Sequence, residues 1–225
     1  MLELSRTDRF DIYQTCLHNA LAYSELANPL KIYGYSSERL LELKKQFNHI
    51  FQLHSRYLEN NGLRAEASEL YQNAYKTCYT QYMYYRKLAR LQFGNAPESC
   101  EELHINASRP KKYAELKLTA THFYKAILKN KNILNAMSEL NCKKAEIKAA
   151  LEQLKELEHC MAHFIETKQK SKKDTIIRQT ATKAFDQEMS RLRQVCTFAF
   201  KGTEPNLRKL GFNAHKDVEY EDLRY

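Results

Sequence analysis

Only five glycines and four prolines occur in 225 residues. Tight backbone reversals draw on these two residue types, glycine for positive φ and proline for a fixed φ. A sheet protein that turned every few residues would need many more of both. A chain this poor in them runs far between reversals, and long uninterrupted segments are helices. The glycines fall where helices should stop: Gly34, Gly62, Gly94, Gly202 and Gly211 each follow an apolar periodic stretch, the place of a left-handed cap. Between these stops the spacing predicts six helices, over about 5–27, 37–60, 64–93, 111–137, 142–169 and 174–201. Asn28-Pro29 ends the first, Ser36 and Asp174 are candidate N-caps, and Pro97 and Pro110 mark a connector.

The apolar spacing fits. Leu40, Leu43, Phe47, Ile50, Tyr57 and Leu58 recur at steps of three and four, as do Ile147, Leu151, Leu154, Leu157, Met161, Phe164 and Ile165. Long helices with one apolar stripe bury it side by side, so the expected fold is all-α, an antiparallel bundle. A shift of 107 residues lays the second half on the first. Leu40 meets Ile147, Phe47 meets Leu154, Ala74 meets Ala181, Arg86 meets Arg193 and Phe93 meets Phe200. The closing segments match too, Leu103-His104-Ile105-Asn106-Ala107 against Leu210-Gly211-Phe212-Asn213-Ala214. The reading is an internal duplication. It comprises a first helical unit over 1–107 and a second over 108–214, together one bundle, with a flexible polar tail over 215–225.

Phe123-Tyr124 opening a helix, then Ala181, Leu192, Ala199, Pro205 and Leu207 before Leu210-Gly211-Phe212, resembles a family of uncharacterised bacterial helical-bundle proteins. Their repeats close on a P-x-L stop followed by Leu-Gly and an apolar residue. The first half departs from that pattern at His104, where the family prefers glycine. The resemblance implies a fold and a bacterial source, and no chemistry.

Composition, at 43% hydrophobic and 28% charged, places the chain among globular proteins and outside the disordered class. The six cysteines form no CxxC pair, and five lie in apolar helical runs where a thiol behaves as a small hydrophobe. With no apolar leader at Met1 and no apolar run of about 18 residues, a reduced, cytoplasmic location without membrane contact is expected. Isolated glycines exclude a phosphate-cradling loop, and HExxH and GxSxG are absent. Glu156 and His159 have the Glu-x-x-His spacing of di-iron bundles, with His163 one turn on. At about 100° per residue, however, they lie about 140–200° from Leu154, while Leu151, Leu157, Met161 and Ile165 fall within about 60° of it. A solvated charged face is the better account, so no metal, cofactor or catalytic residue is assigned. His54 lies on an apolar stripe and reads as a half-buried histidine beside a tyrosine. Its chemistry near neutral pH makes an unrecognised helical active site the third-ranked alternative.

Two asymmetries between the halves remain as functional clues. In the third predicted helix Leu70, Ala74, Cys78, Tyr85 and Leu88 form the expected core stripe, and Tyr71, Tyr75, Tyr79 and Tyr82 a second stripe beside it. Tyrosine offers area with a polar tip, so the second stripe is a candidate surface for a protein partner or self-association, if it is not packed inside the bundle. Charge is the other clue. Residues 1–107 carry 12 basic and 12 acidic side chains, residues 108–225 carry 24 and 15, so the whole net charge of +9 falls in the second half. Lys168, Lys170, Lys172 and Lys173, read as a turn, are the candidate anion contact. A non-enzymatic binding or structural module is expected, with electrostatic nucleic-acid binding as the alternative.

Overall fold

A computed structural model describes residues 6–212, with side chains described from residue 9 onward. The described chain is helical throughout and contains no strand: α1 Arg6–Ala22, α2 Ser24–Ile32, α3 Ser37–Phe93, α4 Pro97–Glu102, α5 Tyr113–Lys129, α6 Lys131–Glu139, α7 Lys144–Ala199 and α8 Glu204–Lys209. The segments 1–5 and 213–225, which hold Asn213, Ala214 and the tail over 215–225, lie outside the described residues. None of the described helices is long and apolar enough to cross a membrane. The all-α expectation therefore holds, and the helix count needs correcting in three ways. The first and fourth predicted helices are each two, broken at Tyr23 and at Asn130. Two short helices are added, α4 starting at Pro97 and α8 ending just before Leu210. Most importantly, the segments over 37–60 and 64–93 are one helix of 57 residues, and those over 142–169 and 174–201 merge into one of 56.

The 107-residue period appears in the elements themselves. Helices α6, α7 and α8 begin at residues 131, 144 and 204, each 107 after the start of α2, α3 and α4 at 24, 37 and 97, and α5 ends at Lys129, 107 after the end of α1 at Ala22. The caps repeat as well. After α2, Gly34 takes φ 84° and the Tyr35 N–H donates back to the Leu30 carbonyl; after α6, Asn141 takes φ 60° and Cys142 donates to Met137. Gly211 (φ 81°) and His104 (φ 50°) play the matching part after α8 and α4. Asparagine and histidine tolerate the left-handed region better than most residues, which is why the motif survives without glycine.

The compact units do not follow the sequence repeats 1–107 and 108–214. One is formed by residues 1–59 with 172–225, the other by 60–171. Each takes its helix pair (α1 and α2, or α5 and α6) and half of one long helix from one repeat, and half of the other long helix from the other. In the first, Phe47 lies 6.0 Å from Phe185, Arg39 pairs with Glu188 at 3.4 Å and Arg56 with Asp174 at 3.2 Å, so the α3 and α7 segments run antiparallel. Leu26, Leu30, Leu40, Met189, Leu192 and Phe212 fill its core. In the second, Tyr71 stacks on Phe164 at 5.7 Å and the Cys78 thiol donates to the Gln153 carbonyl at 3.4 Å, again antiparallel. Phe123, Ile127, Ile133, Ile147, Leu154 and Leu157 fill that core. Each such side chain contributes about 1.5–3 kcal/mol by leaving water.

The division follows from the seam of the long helices. Along α7 the inward positions are apolar at Ile147, Leu154 and Leu157, and again at Phe185, Met189 and Leu192. Between these runs the buried residues are Thr167, Ser171, Asp174 and Arg178. Apolar burial stops where the seam turns polar, while the helix itself continues through good helix formers such as lysine and glutamine. The charge asymmetry is redistributed accordingly. Residues 60–171 carry 18 basic and 12 acidic side chains, a net of +6, and the other unit carries 18 and 15, a net of +3.

Candidate functional site

The tyrosines of α3 face inward. Counting sevens from Leu40 and Leu43 gives one seam across the whole helix, which reaches Tyr71, Cys78 and Tyr85 on one row and Tyr75, Tyr82 and Ala89 on the other. Tyr82 is 2% exposed, with its ring edge-on to Phe123 at 5.6 Å and to Tyr124 at 6.4 Å. Tyr71 is half-buried between Phe164, to which it is parallel within 2°, and Tyr113 at 6.2 Å. Tyr75 and Tyr79 stack on each other at 6.1 Å and pack against the same core. Burial pushes the Tyr71 and Tyr75 hydroxyls up from the ordinary tyrosine range, and neighbouring tyrosines add to it. The four residues are brought together, as internal packing.

The stripe expected to be core does the opposite in part. Cys78 and Tyr85 are buried and Ala74 and Leu88 half-buried, but Leu70 is exposed. The exposed row of this helix is Leu63, Leu70, Tyr84 and Leu91, so Leu70, expected in the core, faces water. The signal was present. A count begun at residue 64 discards the register that Leu40 to Ile50 impose, and that register takes Cys78 and Tyr85 from the expected core stripe and Tyr71, Tyr75 and Tyr82 from the one beside it.

Arg86 is the repeat counterpart of Arg193, and no motif around it marks it for a role. It is 1% exposed, and its guanidinium holds the segment that closes the first repeat. Nε and Nη2 donate to the Ile105 carbonyl at 3.1 and 2.9 Å, Nη2 also donates to Ala107, and Nη1 to Ser108 at 3.5 Å. Burial lowers its pKa, though a guanidinium stays charged in proteins. Nearby, the rings of His104 and His122 stack at 4.1 Å, and His122 Nε2 lies 2.9 Å from the Glu102 carbonyl oxygen.

Lys168, Lys170, Lys172 and Lys173 are all exposed, but within α7 and not in a turn. The Lys168 ammonium lies 5.8 Å from the Phe164 ring centre, beside a groove of about 420 Å³ walled also by Arg64 and Gln72. His54 is half-buried, edge-on to Phe10 at 6.4 Å and stacked on Tyr57 at 6.3 Å. Glu156, His159 and His163 are exposed, on the face away from buried Leu154 and Leu157. No group of three or more histidine, cysteine, aspartate or glutamate side chains that could hold a metal ion is found among the described residues.

Fold and surfaces together define an all-helical bundle protein with long shared helices. The chain matches no family model, no curated protein and no solved structure.

Proposed function

We propose that this is a duplicated, non-enzymatic helical module of the cytoplasm that works by binding other protein surfaces. One observation carries the reading. Three positions are exposed yet apolar in both repeats: Leu58 with Ile165, Leu70 with Ile177, and Leu91 with Phe198. Neither core needs a side chain that points to water, and scattered exposed apolar residues would not be expected to recur 107 residues apart. Matching exposure fits a surface that each repeat presents to something else.

The test is affinity capture from the native cell with wild-type protein and with Ile177→Glu and Phe198→Glu. Loss of a co-purifying protein at unchanged helicity supports the reading, and unchanged capture with both variants refutes it. A second reading, electrostatic binding of nucleic acid, rests on the four exposed lysines along α7. It predicts polyanion binding that weakens steeply with salt and is lost on reversing Lys168, Lys170, Lys172 and Lys173 to Glu. Salt-independent retention would exclude it.

A further inference from the structure

Leu63, Leu70, Thr77, Tyr84 and Leu91 stand at seven-residue steps along α3, all within the compact unit 60–171. The four large side chains are 41, 58, 57 and 74% exposed, and Thr77 is exposed too. Half-buried Ala74 and Leu88 line one flank of the row. Seven residues fall about 20° short of two full turns, so such a row winds slowly around a straight helix and stays in register only with another helix coiled against it. The row spans 28 residues, a contact of about 42 Å. A partner for this face is therefore a helix.

The charges beside the row say which helix. Its outer flank reads Glu66, Asn73, Thr80, Lys87, all exposed and again seven apart. The order is acidic, polar, polar, basic, and it is complementary to itself when reversed. Laid antiparallel on itself about Thr77, the helix sets Glu66 against Lys87 of the opposing helix twice, Asn73 against Thr80 twice, and Leu63 beside the end that carries Leu91. A parallel two-fold pair would instead set the charged flank of each helix against the flank of Ala74 and Leu88 on the other, leaving Glu66 and Lys87 without an opposite charge.

We propose that the protein self-associates through this face, a second copy of the chain packing its own α3 antiparallel over residues 63–91. The proposal rests on the reading that the protein works through apolar surface contacts, and it names one partner and one site for them. The two-fold arrangement is isologous, so each copy buries the same row and the assembly closes at two.

Sedimentation or light scattering of the full chain reads the outcome directly as a mass rising from 26.5 kDa toward twice that value with concentration. Leu70→Glu combined with Leu91→Glu is expected to raise the dissociation constant at least tenfold, because the interface would have to bury carboxylates. Both residues are exposed in the single chain, so helicity should not change, and melting should match wild type at concentrations below the wild-type dissociation constant. Glu66→Lys and Lys87→Glu provide the sharper check. Each alone places like charges across the interface and weakens the dimer several-fold, while an equimolar mixture of the two forms a heterodimer with every pair satisfied. A wild-type chain that stays at 26.5 kDa up to about 300 μM overturns the proposal. So does a dimer indifferent to the leucine variants, or a pair of charge variants that does not recover on mixing. The capture test above uses Ile177 and Phe198 in the other compact unit, so a monomeric chain that still loses its partner there would sink self-association and leave the broader reading standing.

Discussion

Gly62 discriminates between the fold read from local sequence and the fold observed. Asn60-Asn61-Gly62 after an apolar stripe has the form of a helix stop, yet α3 runs through it from Ser37 to Phe93. Gly62 is exposed, does not take positive φ, and a methyl group added there would meet nothing within 4 Å. The same register position in α7 is Gln169, so the fold already accepts a side chain there. Interior helical glycine costs about 0.5–1 kcal/mol relative to alanine, part of it through the freedom of the unfolded chain. Gly62→Ala should therefore stabilise by about that amount, raising the melting temperature by about 1–4 °C for a chain of this size. Gly62→Pro should cost about 3 kcal/mol or more by removing a helical hydrogen bond and clashing with the preceding turn. Gly34→Ala, at φ 84°, serves as the opposite control and should destabilise by about 1 kcal/mol or more. Urea titration followed by circular dichroism measures all three. A destabilising Gly62→Ala together with a tolerated Gly62→Pro would mean that the chain turns at this point, and the continuous helix would be wrong.

Three other substitutions probe the interior. Arg86→Met keeps the aliphatic stem and removes the fork that holds Ile105, Ala107 and Ser108; hydrogen bonds from a charged donor are worth about 1.5–3 kcal/mol each. Arg90 still donates to the Ile105 carbonyl at 2.8 Å, so a net loss of about 2–4 kcal/mol in denaturant is expected; a loss under about 0.5 kcal/mol would be the effect of an ordinary surface site and would deny the clamp. The Tyr124 hydroxyl is buried with no hydrogen-bond partner among the described residues, and burial pushes its pKa up. Tyr124→Phe should accordingly be neutral or stabilising in the urea midpoint, whereas a loss of more than about 1 kcal/mol would reveal a partner. The Tyr13 hydroxyl donates to Asp186 at 3.1 Å, and burial first, then the Asp186 charge, push its pKa from 10.0 to about 12. The unfolded chain ionises this group near pH 10 and the folded chain near 12, so its contribution is present below pH 10 and lost between 10 and 12. Stability measured at pH 9 and 11 should fall less in Tyr13→Phe than in wild type, and equal slopes would remove Tyr13 from the alkaline transition.

What the sequence disclosed was what repeats locally: helix class, the stops at Gly34, Gly202 and Gly211, and the 107-residue period that now appears in helix starts and caps. What it concealed was decided at a distance. Whether Asn60-Asn61-Gly62 or Lys168 to Lys173 ends a helix depends on what the opposite long helix offers, and Arg56 with Asp174 and Arg178 over Tyr57 extend the pairing of the first unit to its edge through polar contacts that hydrophobic periodicity does not register. The tyrosine stripe was left open between internal packing and an interface for the same reason. Its inward orientation is a register inherited from Leu40 and Leu43, more than 25 residues upstream. Arg86 has no local signature at all, because the carbonyls it holds lie 19 to 22 residues away in a connector.

The same shared helices set what a repeat can do alone. Residues 1–107 contain α1, α2, all of α3 and α4, yet the core around Leu26, Leu40 and Phe47 is completed by Phe185, Met189, Leu192, Cys196 and Phe200 of the second repeat, with Leu210 and Phe212. Losing the burial of seven such residues, at about 1.5 kcal/mol or more each, removes more than about 10 kcal/mol, as much as the whole stability of a typical domain. A fragment of residues 1–107 is therefore expected to lack a cooperative melting transition as a monomer, and to regain one when co-expressed with residues 108–225. If the fragment alone melts cooperatively as a monomer, α3 must be able to fold back near Gly62 and bury its own second half against its first. That outcome would make the sequence repeat a folding unit after all, and the continuous helices one of two arrangements open to the same chain.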